Sequence, residues 1–216
     1  MKNQQSGFTL VEIAIVLVII GLLLGGVLKG QELINSAKVK SLASEFRAIP
    51  TFIYGYQDRF RSLPGDDRDA TRVGGTNATN GTRGNGVIEG AWDSEDEGDE
   101  SFLFWQHVRL ANLAVGPTSF SGTAADKAAF IPRNAEGGRI GVTGRITISS
   151  AAWNATFFAC SGQITGRFAK QLDTTMDDGK ADTGTVRVFS AVASDGAGTV
   201  VAAPADSGVY VVCVGY

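Results

Sequence analysis

The sequence predicts an α+β fold in which one long N-terminal helix, membrane-spanning in its first half, packs its second half against a mostly antiparallel β-sheet. Three observations predict it. The run from Phe8 to Leu28 holds twenty-one residues and one charge, Glu12, and a helix needs roughly 20 apolar residues to cross a hydrocarbon core. Val39, Leu42, Phe46, Ile49, Ile53, Tyr56 and Phe60 then recur at alternating spacings of three and four, the stripe of an amphipathic helix. Beyond Pro117 the apolar period falls to two, which marks strands. Laying the sheet on the striped half of the helix is the economical way to bury both apolar faces.

Taken in order, the first helix is expected from Phe8 to about Arg61, about 80 Å at 1.5 Å per residue. Pro50 lacks the N–H that would bond back four residues, so it is expected to kink the helix or divide it near Ile49. Gly21, Gly25, Gly26 and Gly30 weaken the upper anchor; they also suit a small-residue face for packing against another helix. Leu63-Pro64-Gly65 ends the helix. From Asp66 to Glu100 the chain is polar and turn-rich, with Gly74, Gly75, Gly81, Gly84 and Gly86 ahead of an acidic run from Asp93 to Glu100.

Asp99-Glu100-Ser101 opens a second helix, Phe102 to about Asn112, whose Leu103, Phe104, Val108, Leu110 and Ala111 can share an apolar side. His107, the only histidine, lies on that side and reads as a packed, hydrogen-bonded residue. Two alternating sets, Ile140, Val142, Ile146, Ile148 and Trp153, Ala155, Phe157, Ala159, predict two neighbouring strands. A short helix from Phe168 to Met176 ends at the turn Asp177-Asp178-Gly179. Val186 to Val192 and Val209 to Val214 complete the sheet.

The totals bound the function. A chain of 216 residues holds an anchor and one domain of ordinary size. Its formal net charge of −3 implies neither nucleic acid nor an acidic membrane surface as a partner. There is no closely spaced His/Cys/Glu set for zinc, no nucleophile elbow and no phosphate loop. The acidic pairs fall in turn-like contexts where exposure explains them, so no catalytic residue is assigned and the chain is not read as an enzyme.

Calcium is the one ligand the sequence raises. Asn85-Gly86-x-Ile88 is similar to the centre of an acidic calcium loop, but the preceding alternate positions, Gly81 and Arg83, supply no carboxylate. Asp66, Asp67, Glu89 or Asp93 would have to complete that site, and Asp177 with Asp178 forms a second candidate. Solvated turns are the competing reading for both.

The segment Gly7-Phe8-Thr9-Leu10-Val11-Glu12, with Lys2 before it and the apolar run after it, resembles the N-terminus of the type IV pilin and type II secretion pseudopilin family. The resemblance implies that residues 1–7 are a leader, cut between Gly7 and Phe8 by a prepilin peptidase, and that Phe8 is then N-methylated. Residues 8–28 would be the transmembrane and assembly half of the helix, and residues 29–216 the rest of it with a pilin-like head. Glu12 corresponds to the family's register-setting carboxylate. Its burial costs about 2.5–3.5 kcal/mol near mid-bilayer. Pairing at ~4 Å with the new ammonium of a neighbouring subunit's Phe8 is worth about 4 kcal/mol at an effective dielectric near 20.

The resemblance further implies other pilin subunits, an assembly platform and its motor ATPase as partners, and no cofactor. It places the protein in a bacterial inner membrane with its head in the periplasm, before incorporation into an extracellular pilus or a periplasmic pseudopilus. A count of basic residues, Lys2 before the run against Lys29, Lys38 and Lys40 after it, would favour the opposite topology. Outward placement of the head therefore rests on the resemblance and the cysteines. Cys160 and Cys213, the only two cysteines, permit one bridge in an oxidising compartment, worth about 4 kcal/mol in the chain-entropy model; two buried thiols are the alternative.

Leu63-Pro64-Gly65-Asp66-Asp67, Gly84-Asn85-Gly86-Val87-Ile88-Glu89-Gly90, Phe104-Trp105-Gln106-His107 and Leu172-Asp173 with Asp177-Asp178-Gly179 are similar to a long, cysteine-containing subgroup of prepilin-type proteins. Lys29 stands where many members carry Pro, which leaves pilus, pseudopilus and minor subunit open. The rival reading is a membrane-anchored periplasmic domain that binds a ligand or does chemistry. That reading expects no prepilin cut and no filament.

Overall fold

The computed structural model describes residues 9–148 and 153–216. It divides into two compact units, residues 1–38 and 39–216. Helix α1 (Leu10–Phe60) begins in the first and ends in the second. In the first unit every described residue from Thr9 to Lys29 is exposed. A Cβ added at Gly21, Gly25, Gly26 or Gly30 would meet nothing within 4 Å. The helix runs unbroken through these glycines. Their cost of about 1 kcal/mol each falls among strong apolar helix formers, and a span in lipid must satisfy its backbone internally.

In the second unit the predicted stripe is the inner face of α1. Val39, Leu42, Phe46, Ile49, Ile53 and Tyr56 are buried, and Phe60 is half-buried. Pro50 does not divide the helix, and the reason lies far along the chain. The carbonyl that Pro50 cannot serve is that of Phe46, and the Tyr216 hydroxyl donates to it at 2.9 Å. A hydroxyl thus replaces the missing N–H, and the Phe46 carbonyl is not left orphaned. Tyr216→Phe should cost about 1 kcal/mol in the wild-type background and much less in Pro50→Ala, where the backbone N–H returns. A double-mutant cycle by urea unfolding checks this; equal costs in both backgrounds would refute the capping role.

Among the described residues six strands form one sheet: β1 (Ile140–Thr143), β2 (Thr147–Ile148), β3 (Phe158–Thr165), β4 (Val186–Val192), β5 (Ala197–Val200) and β6 (Val209–Gly215), in the order β1-β3-β6-β4-β5-β2. All neighbours are antiparallel except β2 with β5. The described residues also form α2 (Glu100–Leu110), α3 (Ala124–Phe130) and α4 (Gly166–Met176), with a 3-10 turn at Ala70–Val73.

The two alternating segments differ from expectation. Ile140 to Ile148 is not one strand: Gly144 turns aside to donate to the Ile88 carbonyl at 2.7 Å, and Thr147–Ile148 joins the opposite edge of the sheet. Trp153 to Phe157 is not strand either. The Trp153 ring lies against Phe158 and Phe189, at centroid distances of 4.7 and 5.7 Å, and the ladder begins at Phe158. Both α3 and β5 are additions to the predicted elements.

Strand alternation gives the sheet two apolar faces. On one, Val142, Ala159, Val186, Val188, Val212 and Val214 join the inner residues of α1, α2 and α4 in the main core. On the other, Phe158, Cys160, Phe189 and Cys213 form a smaller core with Trp92 and Ile146, and Trp153 packs against it. Gly141 and Gly162 make room for Trp92: a Cβ at Gly141 would lie 1.6 Å from its carbonyl oxygen, and one at Gly162 3.1 Å from its ring.

Candidate functional site

Function-bearing residues fall into two groups, one at the start of α1 and one in the head. The first turn of α1 is closed by a reciprocal pair. The Thr9 hydroxyl accepts from the Glu12 N–H at 3.3 Å, while the Glu12 carboxylate accepts from the Thr9 N–H at 2.8 Å and from its hydroxyl at 2.7 Å. This is a capping box, and the Thr-x-x-Glu spacing that announces it is readable in the sequence. Within its own chain, then, the Glu12 carboxylate is not bare: it serves two donors of Thr9.

Beyond that turn the helix offers an apolar surface that no described residue of its unit covers. The run has a mean hydropathy of 2.8 across an 18-residue window, and Leu10, Leu22 and Leu28 are 86, 73 and 67 % exposed. Bare apolar surface of this extent belongs against lipid or other helices. Lys29 and Glu32 close it with an exposed ion pair at 2.7 Å. Lys2, Gly7 and Phe8, which carry the expected leader charge, cleavage and methylation, lie outside the described residues.

In the head, Cys160 and Cys213 are bridged, with Cα atoms 4.1 Å apart across a sequence separation of 53 residues. They are direct partners in the β3–β6 register, and both are buried. The bridge therefore staples two neighbouring strands within the sheet.

Of the loop residues proposed for calcium, Asp66, Asp67, Asn85 and Glu89 give side-chain oxygens to protein donors. Asp66 accepts from the backbone N–H groups of Gly84, Asn85 at 3.1 Å and Gly86 at 2.7 Å. Asp67 accepts from the Tyr56 hydroxyl at 2.8 Å, the Asp69 N–H at 3.0 Å and Arg72 at 2.7 Å. Asn85 accepts from the Val87 N–H at 2.8 Å and Glu89 from the Thr82 N–H at 2.5 Å. Asp93 gives its main-chain carbonyl to Arg139 at 3.3 Å. The arrangement ties loop to helix.

Exposure does not explain every carboxylate. Asp66, Asp67, Glu100 and Asp173 are all buried. Glu100 accepts from the Glu89 N–H at 2.8 Å while its other oxygen has no described partner. Burial first, and then the neighbouring Asp66 and Glu89 carboxylates, push its pKa up to about 8. Asp173 is pushed up to about 6, again by burial first and then by Asp178 and Asp177. The Gly179 N–H turned toward it lowers that value somewhat without reaching hydrogen-bond geometry.

His107 is as expected, a packed residue: its Nδ1 accepts from the Gly65 N–H at 2.8 Å and its Nε2 faces the Thr76 carbonyl at 2.9 Å. The proton therefore sits on Nε2, and burial lowers the ring's pKa.

Helix, cap and stapled head define a class: an α+β domain carried on a single helix of membrane-spanning length and composition. Residues 2–28 match the family model described as the prokaryotic N-terminal methylation motif, the signature of the prepilin-type segment of type IV pilins and pseudopilins. The chain thus carries a prepilin-type N-terminus, a mark of structural subunits. No curated protein and no solved structure matches the chain significantly.

Proposed function

We propose that this chain is a structural subunit of a type IV pilus-like filament. The observation that carries the reading is the methylation motif at residues 2–28 leading directly into an uncovered apolar helix. A prepilin peptidase cuts between Gly7 and Phe8, Phe8 is methylated, and the helix leaves the inner membrane by exchanging lipid for neighbouring helices. An assembly platform and its motor ATPase supply the work, since no phosphate loop is legible in the chain. The head, stapled at Cys160 and Cys213, faces the periplasm. Its length and the Lys29 in place of Pro favour a pseudopilin or minor subunit over a major pilin.

The capping box separates two roles of Glu12. Glu12→Gln keeps the cap, because Gln serves at that position as Glu does, but removes the charge that would meet a neighbour's Phe8 amine. Thr9→Val removes the hydroxyl and keeps the charge. Incorporation into filaments should fall at least about tenfold in Glu12→Gln, the equivalent of 1.4 kcal/mol, and persist in Thr9→Val, with the head melting unchanged in both. Normal incorporation of Glu12→Gln would refute charge pairing. Intact mass and N-terminal sequencing of the membrane-purified protein test the route itself: a start at Phe8 with one added methyl group is expected, and a start at Met1 would favour a tethered periplasmic domain.

A further inference from the structure

Three carboxylates meet where α4 ends. Asp173 stands on the buried side of the helix, Asp177 is its C-cap, and Asp178 follows. One ligand oxygen from each lies within 4.8 Å of the others. Asp177 and Asp178 are also held from outside: Asp177 accepts from the Thr185 and Val186 N–H groups at 2.5 and 2.8 Å, and Asp178 from the Lys180 N–H at 2.9 Å and the Thr183 hydroxyl at 2.7 Å.

Asp173 differs from both. It is 0 % exposed, and neither of its oxygens has a hydrogen-bond partner among the described residues. A buried carboxyl group without a partner is costly enough to be rare. The setting also lacks the usual compensation. The last turn of α4 carries no basic residue, although the carboxyl end of a helix is the end that favours positive charge.

We propose that Asp173, Asp177 and Asp178 hold a hard divalent cation of the calcium class, with Asp173 as its buried ligand. The donors are oxygens only, which suit calcium or magnesium rather than zinc. Magnesium demands a near-ideal octahedron and sheds its waters reluctantly, whereas calcium accepts irregular sets of carboxylate oxygens, so calcium is the better fit. Waters complete the shell. Because Asp177 also binds the N–H of Val186, the first residue of β4, the ion braces the α4–β4 connection. The inference stands independently of any filament.

The test uses the purified full chain in detergent, stripped with EGTA and melted at pH 7.5 with and without calcium chloride. At calcium 100-fold above its Kd the melting temperature should rise by about 5–10 °C, and by less with magnesium at equal concentration. Asp173→Asn keeps the shape and removes the charge, so it should abolish the calcium shift while melting in EGTA at or above the wild-type temperature. Should Asp173→Asn fail to fold, Asp178→Asn should weaken calcium binding at least about tenfold in native mass spectrometry. No calcium shift in the wild type, an undiminished shift in Asp173→Asn, or unweakened binding in Asp178→Asn would each overturn the proposal.

Discussion

Replacing Cys160 and Cys213 together by alanine should lower the stability of the head by about 4 kcal/mol, the loop-closure entropy released by a bridge across 53 residues. For a domain of this size that corresponds to a fall in melting temperature of about 8–16 °C. Cross-linking gains so much here because the loop is long, although the two residues end as neighbours. Without the bridge their pairing rests on the β3–β6 ladder, which holds them opposite one another in register with Ala159↔Val214 and Ser161↔Val212. The sheet should therefore keep its topology while losing stability. Local packing should loosen too, since the bridge shares a small core with Trp92, Phe158 and Phe189, and near-ultraviolet dichroism should weaken. Urea unfolding of wild type, double alanine variant and reduced wild type checks this. An unchanged midpoint would mean that the ladder alone fixes the strands.

How far the fold was legible follows from which interactions are local. The inner stripe of α1 could be read because its period is intrinsic to the helix, and of its seven buried members all but Ala43 follow from the spacing alone. That the helix stays undivided at Pro50 was not legible for the opposite reason. Its compensation, the Tyr216 hydroxyl, comes from 170 residues away, and no window of sequence contains both. Alternation also misled at Trp153 to Phe157, where period two reflects rings packing over a sheet rather than membership in it. Ile146 was misassigned because a pattern cannot report that Gly144 redirects the chain. β4 and β6 were legible because continuous Val-rich runs have few other uses. The short β5, Ala-Gly-Thr-Val, has no such signature.

The candidate sites divide in the same way. Gly7, Phe8 and Glu12 form a contiguous motif, so a reader of the chain meets them together. Thr9 carried an equally local signal, the Thr-x-x-Glu box, which the membrane reading of Glu12 concealed. Asp173 was passed over although its position was informative: it shares the inner side of α4 with Ala169 and Leu172, where a carboxylate has no business without a partner. Glu100 opens a helix, as its place in the sequence predicts, but the first turn of α2 is buried, with Glu100 held by the Glu89 N–H of the preceding loop. Burial is a tertiary property, and both residues acquire their chemistry from it.

Glu100 yields the strongest pH dependence expected of the head. A carboxyl whose pKa stands at about 8 when folded, against 4.5 as the ordinary value, binds its proton more tightly in the native state. Its contribution to stability is fully present below about pH 4.5 and is lost as pH rises through 8, at up to about 1.4 kcal/mol per pH unit. Asp173 is raised to about 6 and Arg109 lowered to about 10, so both titrate mainly outside pH 7–9; burial also raises Glu45, and His107, lowered from 6.5, acts with the opposite sign. Between pH 7 and 9 the slope therefore reports Glu100. Glu100→Gln keeps an oxygen for the Glu89 N–H and offers Asp66 a donor that never ionises. It should match the wild type near pH 5, exceed its stability by on the order of 3 kcal/mol at pH 9, and flatten the curve between them. Urea midpoints at half-unit intervals decide the matter: a wild-type curve already flat above pH 7 would show that Glu100 ionises without penalty, and that the cluster of Asp66, Glu89 and Glu100 is opened by water when it does.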